Sequence, residues 1–191
     1  MINENFVLLG AFFNLIGGWS YFIKTLKGEV KPNKVTWFLW ALAPLIAFTA
    51  EIKQGVGLQS LLTFMVGFNP LIIFLASFVN KKSFWKIHAF DIFCGLFSLA
   101  GILGWILTHN GNFAIGFSIL ADGLASLPTV IKSYKFPETE DYKIFLFAGL
   151  SAIITLLTLK IWSFAYFGFP LYILTLSIIL VYLLKFKATK K

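Results

Sequence analysis

Asp122 stands in Leu-Ala-Asp-Gly-Leu (120–124), with mostly apolar residues on both sides. A charged carboxylate at the centre of a membrane span costs about 3 kcal/mol on insertion scales, so such residues face a bundle interior or a wet cavity. In a cavity, Asp122 is placed to carry a proton or to bind a cationic or hydroxylated solute. Between helices, it is a neutral acid bridging two spans. Asn69, followed by Pro70, lies midway along another apolar run, and Asn14 lies midway along the first. An amide both donates and accepts, which suits a neutral polar solute such as a sugar. The same side chains also serve as interhelical glue, worth about 0.6–2 kcal/mol. Trp162 reads either as an aromatic lid over a cavity or as an interfacial anchor. Pro128 and Pro44 each remove a backbone donor and clash with the preceding turn, so each bends or weakens its helix and is a candidate hinge.

These residues need elements to position them, and composition says which kind. The 191 residues are 59% hydrophobic and 13% charged, with a mean hydropathy of +0.85. Soluble domains carry about 45–50% apolar and about 25% charged residues. A disordered chain, a secreted disulfide scaffold and almost any water-soluble enzyme are excluded. A polytopic membrane protein remains. Seven apolar runs are long enough to be considered as spans: 5–23, 35–50, 60–79, 89–108, 113–132, 144–161 and 164–184. The first reads as a retained span, because its leader Met-Ile-Asn-Glu-Asn is acidic and no small-residue cleavage site follows.

The net charge of +8 is carried entirely by lysine, without arginine. These lysines sit between the runs, so they read as positive-inside topology and contact with anionic lipid, not as a nucleic-acid surface. Seven spans put 14 of the 16 lysines on one side and leave Lys53 and Lys160 on the other. That split predicts an outside N-terminus and a cytoplasmic C-terminus. Trp37 and Trp85 fall near the lysine-rich ends of spans, and Trp105 and Trp162 near the opposite ends, as interfacial anchors do. Glycines 17, 18, 101, 104 and 123 mark places where helices can approach closely.

Offset by 105 residues, the first three runs fall on the last three without a gap. Identities include Leu15/Leu120, Gly18/Gly123, Lys27/Lys132, Pro32/Pro137, Ala43/Ala148, Ala47/Ala152 and Phe64/Phe169. Both halves show a mid-span glycine, lysines at the inner end, a loop proline and a fresh apolar run. Two odd-numbered units share an orientation only if an odd number of spans separates them, and the fourth run does that. The expected fold is therefore an all-α membrane protein of seven transmembrane helices, two parallel three-helix-bundle repeats joined by a linker helix. Its divisions are 1–80 for the first bundle, 81–110 for the linker helix, and 111–191 for the second bundle and basic tail.

Leu-Pro-Thr-Val-Ile-Lys-Ser-Tyr-Lys (127–135) resembles the proline-glutamine motif of the PQ-loop superfamily, which includes the SWEET transporters. Thr129 stands where that family has glutamine, and the first repeat has Ile23 and Lys24 at the equivalent positions. The resemblance implies a transporter with hinges or gates at Pro128, Thr129 and Pro44. It also implies that Asn69, on the third span, faces the substrate cavity.

The remaining constellations are weak. His88 and Asp91 lie one turn apart at the start of the fourth run and read as a solvated helix start, and His109 lies in an outer loop. Glu138, Glu140 and Asp141 read as a solvated loop. The single Cys94 reads as packing. No phosphate loop, activated nucleophile or zinc spacing is present in the sequence, so no enzyme activity and no cofactor are expected. The leading function is alternating-access movement of a small polar solute, with Asn69, Asp122, Asn14 and Trp162 as contacts and protons as a candidate coupling ion. The alternative is a non-transporting scaffold or receptor with the same fold. Lysine-only basicity, abundant phenylalanine and compact loops point to a prokaryotic plasma membrane. The expected partners are the lipid bilayer and the solute; homo-oligomerisation stays open.

Overall fold

Several helices start where the sequence supplies a cap, in a computed structural model that describes residues 2–82, 85–94, 96, 99, 103 and 110–187. Helix α1 (Phe6–Lys27) ends at Gly28, whose φ of 77° lets its N–H reach the Lys24 and Thr25 carbonyls. Helix α2 (Lys34–Lys53) opens on Asn33, whose side chain accepts from the Val35 N–H at 3.1 Å. Helix α3 spans Ser60–Ala76. Helix α4 is described over 89–94, and its first turn is closed by Asp91 accepting from the His88 N–H at 2.8 Å. Asn110 caps α5 (Gly111–Lys135) and Asp141 caps α6 (Tyr142–Thr158), each accepting the N–H two residues on. Helix α7 (Phe164–Val181) runs into a π-turn over Tyr182–Lys187.

The protein is all-helical, with seven α-helices and no strand among the described residues. The segments Phe6–Lys27, Lys34–Lys53, Gly111–Lys135 and Phe164–Lys185 are long and apolar enough to cross a membrane. Helices α3 and α6 are apolar but have 17 residues each, about 25 Å of rise. These helices fit an integral membrane protein. Most of the fourth expected span, with Gly101, Gly104, Trp105 and the following His109, lies outside the described residues.

Helix neighbours follow a closed order. α3 packs between α1 and α2, α2 packs on α5, α7 lies between α5 and α6, and α6 returns to α1. Chain neighbours α1 and α2 are therefore not the principal packing partners. Gly17 lets α1 approach α6 closely: a β-carbon there would lie 3.1 Å from the Ile144 Cα. The outward faces are apolar, as in Leu8, Phe12 and Trp19 on α1, Leu120 on α5 and Ile178 on α7. Polar side chains such as Asn14, Thr36, Asn69, Asp122 and Ser177 are buried inside. This inside-polar, outside-apolar arrangement suits lipid surroundings.

At the end carrying the 28–33 and 136–141 loops, the structure corrects four expectations. Glu140 and Asp141 are not solvated: both are buried, because their loop folds back over the helix ends. Glu140 accepts from Lys132 Nζ at 2.7 Å and from the Tyr21 hydroxyl at 2.5 Å, and Asp141 pairs with Lys24 at 2.7 Å. Lys132, read with the other span-end lysines as a topology signal in contact with anionic lipid, is also buried and donates in addition to the Lys31 carbonyl. Trp37 is 1% exposed and packs between Tyr21 and Trp40, so it is a core aromatic and not an interfacial anchor. Asp91 is likewise buried, not solvated.

Breaking a buried ion pair by removing one partner costs about 3–5 kcal/mol, since the other charge stays behind unpaired. Lys132→Met should destabilise the detergent-solubilised protein by about that amount in chemical denaturation. The double variant Lys132→Met/Glu140→Gln should lose clearly less than the sum of the two single variants. Strict additivity would show that the pair is not coupled.

Candidate functional site

The centre of the helix ring holds a partly open cavity of about 60 Å³ to which α1, α2, α3, α5, α6 and α7 all contribute side chains. Its polar lining is Asn14 from α1, Asn69 from α3, Asp122 from α5 and Ser177 from α7. Trp37 and Trp40 from α2 and Phe145 from α6 supply aromatic walls. A space of that size has room for a few water molecules or one small solute.

Asn69 Nδ2 donates to both the backbone carbonyl and the side-chain oxygen of Asn14, at 2.8 and 2.6 Å. That contact requires Gly18, one turn along α1. A β-carbon at Gly18 would come within 2.2 Å of the Asn69 side chain. Pro70 offers no N–H to the Val66 carbonyl, which loosens α3 beside the cavity. Asn69 Oδ1 and Asn14 Nδ2 have no hydrogen-bond partner among the described residues.

Asp122 is 1% exposed. Its Oδ2 accepts from the Tyr172 hydroxyl of α7 at 2.6 Å, and its backbone carbonyl accepts from Trp40 Nε1 at 3.3 Å. Its Oδ1 has no partner among the described residues. Thr36 on α2 donates to the Ala125 carbonyl at 2.8 Å, one turn along α5, which holds the two helices in register. Trp40 and Phe145 meet edge to face across the interior, with centroids 6.0 Å apart.

The three polar candidates Asn14, Asn69 and Asp122 thus meet at one cavity. The other candidates lie elsewhere. Trp162 is 65% exposed, packs against Phe167 and does not line the cavity. Pro44 is buried within α2. Pro128 lines a separate pocket with Trp85 and Lys132. Thr129 is buried beside Pro128, and its hydroxyl has no partner among the described residues. Of the glycines, Gly123 meets Tyr172 only at ordinary contact distance.

Sequence reasoning missed Tyr172, whose hydroxyl is concealed in an apolar run, and Pro170, which lies inside α7. It also missed Glu51, because span two was ended at 50 while α2 continues to Lys53. Glu51 is buried and accepts from the Thr63 hydroxyl at 2.9 Å, away from the cavity lining. No cluster of three metal-ligating side chains is found among the described residues.

Compared with known proteins, the chain matches no family model, no curated protein and no solved structure.

The Gly18–Asn69 contact leaves no room for a methyl group, and overpacking of this kind costs about 1–3 kcal/mol. Gly18→Ala should therefore lower the melting temperature in detergent, and adding Asn69→Ala should restore most of the loss. A double variant no more stable than Gly18→Ala would refute the contact.

Proposed function

We propose that the protein is a membrane transporter that moves a small polar solute by alternating access, with the cavity at the ring centre as its binding site. The observation that carries this reading is convergence: all six ring helices reach one interior space, where Asn14, Asn69 and Asp122 each keep one polar atom without a partner among the described residues. Buried polar groups are ordinarily satisfied, and such exceptions mark places where a ligand or water completes the bonding.

The packing order supports a parallel repeat. Exchanging α1 with α5, α2 with α6 and α3 with α7 turns each main packing pair into another: α1–α6 into α5–α2, α2–α3 into α6–α7, and α1–α3 into α5–α7. The bounds of α3 and α7 also agree with the 105-residue offset to within a residue. The lysine distribution favours an outside N-terminus, and segment 127–135 adds its resemblance to the PQ-loop motif. In this reading the Lys24–Asp141 pair and the Lys132–Glu140–Tyr21 cluster join the two units at the cytoplasmic end, where they form a closed inner gate. Pro44 and Pro128 are the hinges about which the units move.

The second reading, a non-transporting scaffold or receptor, is favoured by the small size of the cavity. Cysteine accessibility separates the two. Single cysteines at positions 69 and 122, in a Cys94→Ser background, should react with a membrane-impermeant thiol reagent added from either face of reconstituted vesicles. If both positions stay unreactive from one face while exposed control cysteines react, the transporter reading fails.

A further inference from the structure

We infer that the central cavity takes a small organic cation, an amine or guanidinium, which Asp122 holds as its counter-ion and exchanges for a proton. This inference rests on the transporter reading above and specifies its substrate class.

The lining is unbalanced in charge. Asp122 is the one ionisable acid or base among the described residues that line it. The other titratable group facing Asp122 is Tyr172 on α7, and its hydroxyl already donates to Oδ2. From α2 comes the Trp40 indole, given to the Asp122 backbone carbonyl; α1 and α3 present amides. Lys132 lies ten residues further along α5, about 15 Å away by helix rise, and is paired with Glu140. Among the described residues, none supplies Asp122 with a cation at the cavity.

The unpartnered atoms complete the pattern. Among the described residues, Asp122 Oδ1 and Asn69 Oδ1 are buried acceptors without partners, and Asn14 Nδ2 is the one unpartnered amide donor of the lining. An ionised carboxylate only accepts hydrogen bonds, so the ligand that completes this site brings donors and positive charge. The Trp40 and Phe145 rings also line the cavity, and an aromatic ring attracts a cation that meets its face once water is displaced. A neutral polyol would satisfy the hydrogen bonds and leave the carboxylate uncompensated in a low-dielectric interior.

A proton neutralises Asp122 as well as an ammonium does. One monovalent cation enters as one proton leaves, so the cavity is neutral in both states and can reorient across the bilayer without carrying net charge. The exchange is one for one and electroneutral. It is driven by a proton gradient and is indifferent to membrane potential.

Guanidinium and urea form the decisive pair of probes: both are planar donors of similar shape, and only guanidinium is charged. In proteoliposomes with an acidic lumen, radiolabelled guanidinium should enter faster than into empty vesicles, and urea should enter at the empty-vesicle rate. Imposing a membrane potential at constant pH should leave guanidinium uptake unchanged. Asp122→Asn should reduce it to the empty-vesicle rate, and Asp122→Glu should restore part of it, with each variant's melting temperature confirming that it folds. Urea carried as well as guanidinium, guanidinium uptake surviving in Asp122→Asn, or no uptake of either probe would each overturn the cation assignment. Cysteine labelling at positions 69 and 122 in the same preparation then shows whether alternating access stands without it.

Discussion

Lipid offers no hydrogen bonds, so a polar side chain inside the bundle looks for its partner within the protein, on its own helix or on a neighbouring one. That constraint organises most of what is seen here. It accounts for Asn69 reaching across to Asn14 over the bare face of Gly18. It also accounts for Tyr172 on α7 donating to Asp122 on α5, and for Thr36 donating to an α5 carbonyl. Each of these bonds joins two helices that are adjacent in the ring and distant in the chain. The ring order is thus held by polar contacts inside and by apolar surfaces outside.

The two levels of the interior meet this constraint differently. At the loop end, two lysines and two acids pair off, with Tyr21 as an added donor and Trp37 packed beneath. At the centre, Asn14, Asn69 and Asp122 each keep one polar atom without a partner among the described residues. Charges that are paired in this way stiffen their layer, while unpartnered polar atoms beside a cavity have a use for a ligand. The aromatic stack Tyr21–Trp37–Trp40–Phe145 runs from one level to the other, so a change in the ionic layer has a packed route to the cavity walls.

How much of this was legible in the sequence depended on contrast. Asn14, Asn69 and Asp122 stood out because each interrupts an apolar run, and a polar residue there has few roles. Their meeting at one cavity was not legible, because it depends on α3 lying between α1 and α2 and on α6 closing the ring onto α1. Tyr172 gave no contrast: a tyrosine in an apolar run reads as packing until its hydroxyl has a partner. Glu140 and Asp141 misled for the opposite reason. Acidic loop residues are usually solvated, and only the folding of this loop onto Lys24, Tyr21 and Lys132 buries them. Trp37 showed the limit of reading interfacial tryptophans from position along a span, since the lysine-rich end of α2 is covered by neighbouring helices. Helix ends were readable wherever a cap was present, as at Asn33 and Asn110, and α2 ran past its expected end because Glu51 is sheltered by Thr63.

The central claim is that two three-helix units rock about the cavity, so that closing one end opens the other. Pulsed electron-spin distances between paired labels test it most directly. One pair replaces Lys31 and Glu138 at the loop end, and the other replaces Lys53 and Ser163 at the opposite end, all of them exposed or at exposed loop positions. The account predicts two distance populations for each pair, with reciprocal changes: conditions that lengthen the first distance shorten the second. A single narrow distance at both ends, unchanged by solute or proton gradient, would contradict it.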